Sequence, residues 1–379
     1  MIPLDLGPLG FSTPDMDEVF SVESFVGGMV EFERALALAL ADTGIAPVPE
    51  ARAVATACEE LVPDPMGVLA GTWDVGTPVI PLLDVIRGRI EGEARRWLHH
   101  GATTQDVVDT ALMLVSGRGL DVLDQTMATT ARHLRTLVET HRHQPHRGRT
   151  FLQHATATTF GMRAASWLGD CLEHVATLRA SRLALPVQLG GPLGDLGAYG
   201  PEGLAVMAAL AARLGLAAPA LPWHTDRTVV RRLVGTVQDA VASNAKIAVD
   251  VALLAQSDTA EVAVRAGGSS SVPGKRNPID AIRVLAAADV CHGAAGIIGA
   301  ARPHELDRAL GAWHAEWAAL PLVFRTAAAA FDATASMAAT LEARTDEMVR
   351  NVGDVTVPEL DPRLIDGVLT RFADLIGPS

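Results

Sequence analysis

Aromatic side chains are scarce in this chain: Phe, Trp and Tyr make up 4 % of 379 residues, with a single tyrosine. β-Branched residues in alternation are nearly absent as well. Both shortages argue against a protein built from sheets, which rely on those residue types. Cysteine is limited to Cys58, Cys171 and Cys291. They are far apart, odd in number and fit no zinc-ligand spacing, so three reduced thiols packed in a core are expected, and no metal site. No long basic run exists and the net charge is −13. Phosphate binding needs a clustered basic face, which excludes nucleic acid as a partner. The first residues lack a basic flank before a long apolar run, so no secretory signal is expected. The apolar stretches read as broken by charges before membrane-spanning length. A cytoplasmic protein without membrane contact is the expectation.

What is present is apolar and helical. Apolar residues reach 49 %, with alanine and leucine dominant, enough for a sizeable core. Apolar residues at three- and four-residue spacing run without proline from Val107 to Leu137 and from Val229 to Val264, which predicts two long helices of a bundle. Further helices are expected over Ala155–Leu183, after Pro278, and over Leu306–Ala343 with a kink at Pro321. The fold class is therefore all-α. The expected division is an N-terminal helical part over 1–106, a long-helix bundle over 107–345 and a short tail over 346–379.

Five segments carry chemistry. The loop Gly267 to Pro278 packs glycines, three serines, Lys275 and Asn277 into a dozen residues. Such a loop can present backbone N–H groups, a lysine and a serine to an anion or carbanion. His99-His100-Gly101-Ala102-Thr103-Thr104-Gln105-Asp106 precedes a long helix, and Thr104 or Asp106 doubles as a candidate cap. His154 stands among Gln153, Thr156 and Thr158, a setting for an acid or base. The neighbouring His141, His143 and His146 read as a solvated helix end. Leu221 to Arg227 reads as a proline-led helix start in which Arg227 offers a fork to a carboxylate. Glu305 to Trp317 is explained in large part by Trp313 and Trp317 packing one turn apart.

In this order the segments resemble the fumarase/aspartase superfamily, whose Gly-Ser-Ser-x-Met-Pro-x-Lys-x-Asn-Pro loop is matched by Gly268 to Pro278 with Val272 in place of Met. Within it, the stretches around His99, His154, His224 and Trp313 look most like the bacterial 3-carboxy-cis,cis-muconate cycloisomerases. The resemblance implies a homotetramer whose long helices pool into a central bundle, with each active site built from three subunits. It assigns Ser269 as the catalytic base, Lys275 and Asn277 to a substrate carboxylate, His154 as general acid and His99 as its assistant. Thr103, Thr104 and Gln105 fall where relatives contact carboxylates. Thr158, Ser270 and Arg227 complete the expected substrate-binding set.

The sequence departs from the pattern at Gly274, where the cycloisomerases commonly have His, and at Ala157, where Pro is usual. About thirty residues follow Arg350, fewer than the small helical domain that many relatives carry there. The expected reaction is lactonisation of a carboxymuconate through an aci-carboxylate, in aromatic-acid breakdown, with a di- or tricarboxylate substrate and no cofactor. The alternatives are elimination of fumarate from a succinyl-type substrate and, third, a catalytically silent helical scaffold.

Overall fold

The computed structural model describes residues 7–300 and 303–377. Six helices open the chain: α1 (Pro14–Val19), α2 (Val22–Asp42), α3 (Val48–Glu59), α4 (Pro65–Ala70), α5 (Thr72–Val75) and α6 (Val79–Arg87). The body is made by α7 (Thr104–Thr140), α8 (Phe160–Ala184), α10 (Thr228–Ala255), α11 (Ile279–Gly299) and α12 (Ala312–Thr340), with α9 (Gly203–Leu214) set against α2. Two further helices, α13 (Thr345–Val352) and α14 (Pro362–Ile376), follow.

At 37 residues, α7 is about 55 Å long at 1.5 Å per residue. It starts with a capping box in which the Asp106 carboxylate accepts from the Thr103 N–H at 2.9 Å. It packs on α8, α12 and α2, while α10 packs on α8, α11 and α12. Small residues allow these approaches. A methyl group on Gly119 would stand 2.7 Å from the Phe324 ring of α12. Buried Ala327 to Ala330 and Ala333 do the same for the facing side. Tryptophans Trp313 and Trp317 meet edge-on with centroids 4.8 Å apart. All three thiols are free and buried.

One buried core runs from Met16 to Phe372. The division anticipated at residue 106 lies in the first turn of α7. Beyond residue 345, α13 packs on the first strand of a hairpin and α14 on α8, with Ile365 and Phe372 buried.

The all-α body carries short ladders that periodicity did not reveal. Strands β1 (Pro145–Thr150) and β2 (Gln153–Thr159) pair antiparallel, so α8 starts at Phe160 and not at Ala155. Its cap is Thr159, whose hydroxyl accepts from the Met162 N–H. Likewise α10 stops at Ala255: the chain turns so that Glu261 N–H reaches the Leu254 carbonyl. It then forms β3 (Val262–Ala263) against β6 (Glu342–Ala343). Strands β4 (Ala266–Gly267) and β5 (Asn277–Pro278) close the glycine-serine loop. Pro321 lies inside α12, which runs on to Thr340 and begins only at Ala312, after Gly311 at φ +92°. One reading of the apolar runs is corrected. Helix α11 is long and apolar enough to cross a membrane despite Asp280, Arg283 and Asp289; here it packs between α10 and α12.

Candidate active site

Three groups of residues carry the expected chemistry, and the fold sets them at different places. In the loop, the Ser269 hydroxyl oxygen accepts from the Val272 N–H at 3.1 Å and the Ser271 N–H at 3.4 Å. Two donors on one oxygen favour its anionic form. Asn277 donates to the Gly268 carbonyl at 3.1 Å and so ties the loop's two ends. Gly274 stands at φ +79° in open space. The left-handed backbone, not crowding, suits glycine there. Ser270 and Lys275 are exposed, and Lys275 and Asn277 line a cavity of about 460 Å³.

His154 and Thr158 lie on β2, His154 exposed and Thr158 half-buried. His154 lines a second cavity, of about 450 Å³, with Arg149, Arg163 and Asp250. The hairpin tip holds Phe151 and Leu152 at φ +51° and +62°, with Phe151 99 % exposed. Left-handed backbone is costly for side chains of this size. The hairpin is anchored by Glu261, which is buried. Arg149 grips it with two bonds of 2.8 and 2.9 Å, Asn351 donates at 3.0 Å, and the His146 Nε2 lies 3.1 Å away. Burial pushes the Glu261 carboxyl up, but these partners overcome it and hold the group down to about 2. His146 is fully buried, which corrects the reading of a solvated histidine cluster. Burial lowers its own pKa.

The third group surrounds the start of α7. His99 has φ +56°, and Glu33 of α2 holds it twice: the His99 N–H donates at 3.0 Å and ring Nδ1 lies 2.7 Å from the carboxylate. Burial works to lower the His99 pKa, yet the Glu33 charge and hydrogen bond outweigh it and raise it. With Nδ1 on Glu33 and the side chain 17 % exposed, Nε2 is the nitrogen left for a ligand. The Thr103 hydroxyl accepts from Arg308 at 3.0 Å, and Thr104 is half-buried. Gln105 is fully buried, its amide donating to Asp109 and to the His224 carbonyl. Asp106 accepts from Gly191 N–H and Gln188 as well as Thr103, and meets His224 Nε2 at 2.7 Å.

Arg227 is the clear correction among the expected binding residues. It is 2 % exposed and lies between Asp109 (2.7 and 3.0 Å) and Glu316 (2.6 to 3.2 Å), with the Trp223 ring beneath it. Burial alone would lower its pKa; the two carboxylates reverse that and raise it. Its fork is committed to the protein and presents nothing to a substrate. The segment before it is not a helix start either, since α10 begins at Thr228.

The family described as lyase matches residues 7–291. The chain belongs to this lyase family. A 3-carboxy-cis,cis-muconate cycloisomerase of Pseudomonas aeruginosa is 38 % identical over 90 % of this chain and 76 % of its own. Among solved structures, the 3-carboxy-cis,cis-muconate lactonizing enzyme of Pseudomonas putida matches with TM-score 0.82 and 34 % identity, over 91 % of this chain and 78 % of that one. A fumarate lyase from Mesorhizobium sp. BNC1 matches with TM-score 0.83 and 33 % identity, over 91 % and 79 %.

Within this lyase chain, the residues that sequence reading missed are the buried carboxylates: Glu33, Asp109, Glu261 and Glu316. Only burial distinguishes them from surface acids, and their partners lie far off in sequence. Two outcomes follow from the electrostatics. Replacing Glu33 with Gln leaves burial less opposed, so the His99 ring pKa falls; NMR titration of histidine-labelled protein reads it directly. Glu261 titrates at about 2 in the fold against 4.5 ordinarily. Its stabilising contribution is therefore complete above pH 4.5 and is lost as pH falls towards 2. Glu261→Gln should lower Tm at neutral pH and flatten the acid limb of a Tm-against-pH curve.

Proposed function

We propose that this chain is a 3-carboxy-cis,cis-muconate cycloisomerase, acting in the cytoplasm in the breakdown of aromatic acids. The observation that carries the reading is Ser269, whose oxygen is met by two N–H groups of the loop that also carries Lys275 and Asn277. In lactone closure a carboxylate of the substrate attacks a conjugated carbon. The C–O bond forms as the double-bond electrons move onto a second carboxyl group, giving an aci-carboxylate that carries two negative charges. Lys275, Asn277 and the loop N–H groups suit that developing charge, and donors matched to the transition state lower the barrier. A proton then reaches the α-carbon and is replaced from solvent, so the tricarboxylate trianion becomes a lactone carrying two carboxylates with the net uptake of one proton. Ser269 is assigned that proton. The attacking group is already an anion and the leaving group in reverse is a good one, so His154 serves to orient a carboxylate and His99 to assist. Thr103, Thr104, Thr158 and Ser270 are proposed for the binding set, whereas Gln105, expected there as well, is fully buried with its amide committed to Asp109 and the His224 carbonyl and is left out. Three unpaired thiols suit a reducing compartment.

The working unit is proposed to be a homotetramer. His99 precedes the start of α7 and the hairpin with His154 follows its end, so about 55 Å of helix separates them in one chain. The loop follows the end of α10, and its cavity shares Gln256 with the His154 cavity. A site using all three groups therefore draws on other copies. Exposed Ile282 and Ile297 on α11 and Val249 on α10 give apolar surface for that contact.

Two experiments test this reading. Ser269→Ala should cut the loss of diene ultraviolet absorbance from 3-carboxy-cis,cis-muconate by roughly 10²- to 10⁴-fold with the oligomer intact. Near-normal turnover by that variant would remove Ser269 from the role. Inactivity of the wild type, with release of fumarate from a succinyl substrate, would replace the reaction itself. Separately, Ser269→Ala and His154→Asn chains unfolded and refolded together should regain part of the activity that each lacks alone. No regain would place both residues in a site made by one chain.

A further inference from the structure

The cavity beside the loop has a charge imbalance that Lys275 alone does not account for. At about 460 Å³ it falls within the range of small-molecule sites. Lys275, Arg276 and Arg344 line it, and no aspartate or glutamate does. The chain carries a net charge of −13, so an all-cationic wall runs against its composition. Among the described residues, no ion pair or side-chain hydrogen bond engages any of the three. The nearby arginines behave differently: Arg149 is committed to Glu261 and Arg265 to Asp280.

Arg344 is placed by its backbone rather than its side chain. It follows β6, which pairs with β3 at the root of the loop, and its N–H donates to the Glu261 carbonyl at 2.9 Å. The guanidinium is thus delivered to the cavity wall with all its donors free. A dicarboxylate would leave one of the three cations without a counter-charge, whereas a tricarboxylate matches them in number.

We propose that Arg344 is a specificity residue, taking in a bidentate fork the carboxylate that a tricarboxylate has and a dicarboxylate lacks. Lys275 and Asn277 keep the carboxylate at the reacting end, and Arg276 adds to the attraction. For the identity of the natural substrate this rests on the cycloisomerase reading; the cavity and its charges do not.

Calorimetric titration of the full chain with tricarballylate and with glutarate, neither of which can react, tests it. The wild type should bind tricarballylate more tightly. Arg344→Met should weaken tricarballylate roughly ten- to hundredfold and leave glutarate nearly unchanged. Arg344→Lys should restore only part of the difference, because an ammonium has no fork. Arg344 is exposed, and an unchanged thermal melt confirms that each variant is folded. Equal weakening of both ligands, or none, overturns the assignment, as does a wild type that does not discriminate. Discrimination without turnover of carboxymuconate would sink the cycloisomerase reading and leave this inference standing.

Discussion

Arg227, buried between Asp109 and Glu316, is the interaction on which the N-terminal half of the site depends. A charge taken out of water must be paired, and breaking such a pair is far more costly than never having built it. The pairing joins three elements: the second turns of α7 and α12 and the residue that caps α10. Trp313 adds an indole N–H to Asp109 at 2.9 Å. One turn earlier, Asp106 gathers Thr103, Gly191, Gln188 and His224. Thr103, Thr104 and Gln105 thus sit on a helix end that cannot shift without exposing or orphaning a buried charge. That is how long helices of low aromatic content hold a few side chains in place.

Glu261 plays the matching part at the other end. It ties the hairpin carrying His154 to α13 through Arg149 and Asn351, and its carbonyl receives the Arg344 N–H. One buried glutamate, through its carboxylate and its main-chain carbonyl, therefore registers the histidine hairpin, the root of the loop and the arginine of the cavity wall. Polar nodes of this kind specify one arrangement where an alanine-rich interface alone would tolerate sliding, since small side chains interlock weakly.

The long helices were legible because their periodicity and the absence of proline persist over many turns. The hairpin was not. Gln153 to Thr159 follows the apolar turn Phe151-Leu152 and runs into a helix whose apolar spacing begins at once, so the pattern extends backwards over strand. The overshoot of α10 has the same origin: Leu253 to Val264 keeps helical spacing, and only the buried Glu261, paired with residues more than 80 positions away, explains the turn. The signature loop was readable because its residue types are unusual for a linker. Arg227 was misread because a guanidinium prefers the same geometry towards a substrate carboxylate as towards Asp109, which lies 118 positions away. Sequence alone holds no record of which partner wins.

The loop's construction follows from what it must leave free. A loop that binds a polyanion cannot be held by the side chains that do the binding, because each donor used internally is lost to the ligand. Here the backbone carries the load. The β4–β5 ladder joins Ala266 to Pro278 and Gly267 to Asn277, and Gly274 supplies the left-handed bend. At the root, Arg265 pairs with Asp280, which Ser336 also reaches at 3.1 Å. Of the loop's polar side chains, Ser269 accepts rather than donates, and Asn277 commits an N–H to the Gly268 carbonyl while its other remains. Lys275 and Arg276 commit nothing. An acidic chain can in this way keep a local excess of positive charge. Backbone amides cost no counter-ion, and the arginines that would otherwise repel one another at the root are neutralised by Glu261 and Asp280, outside the cavity wall.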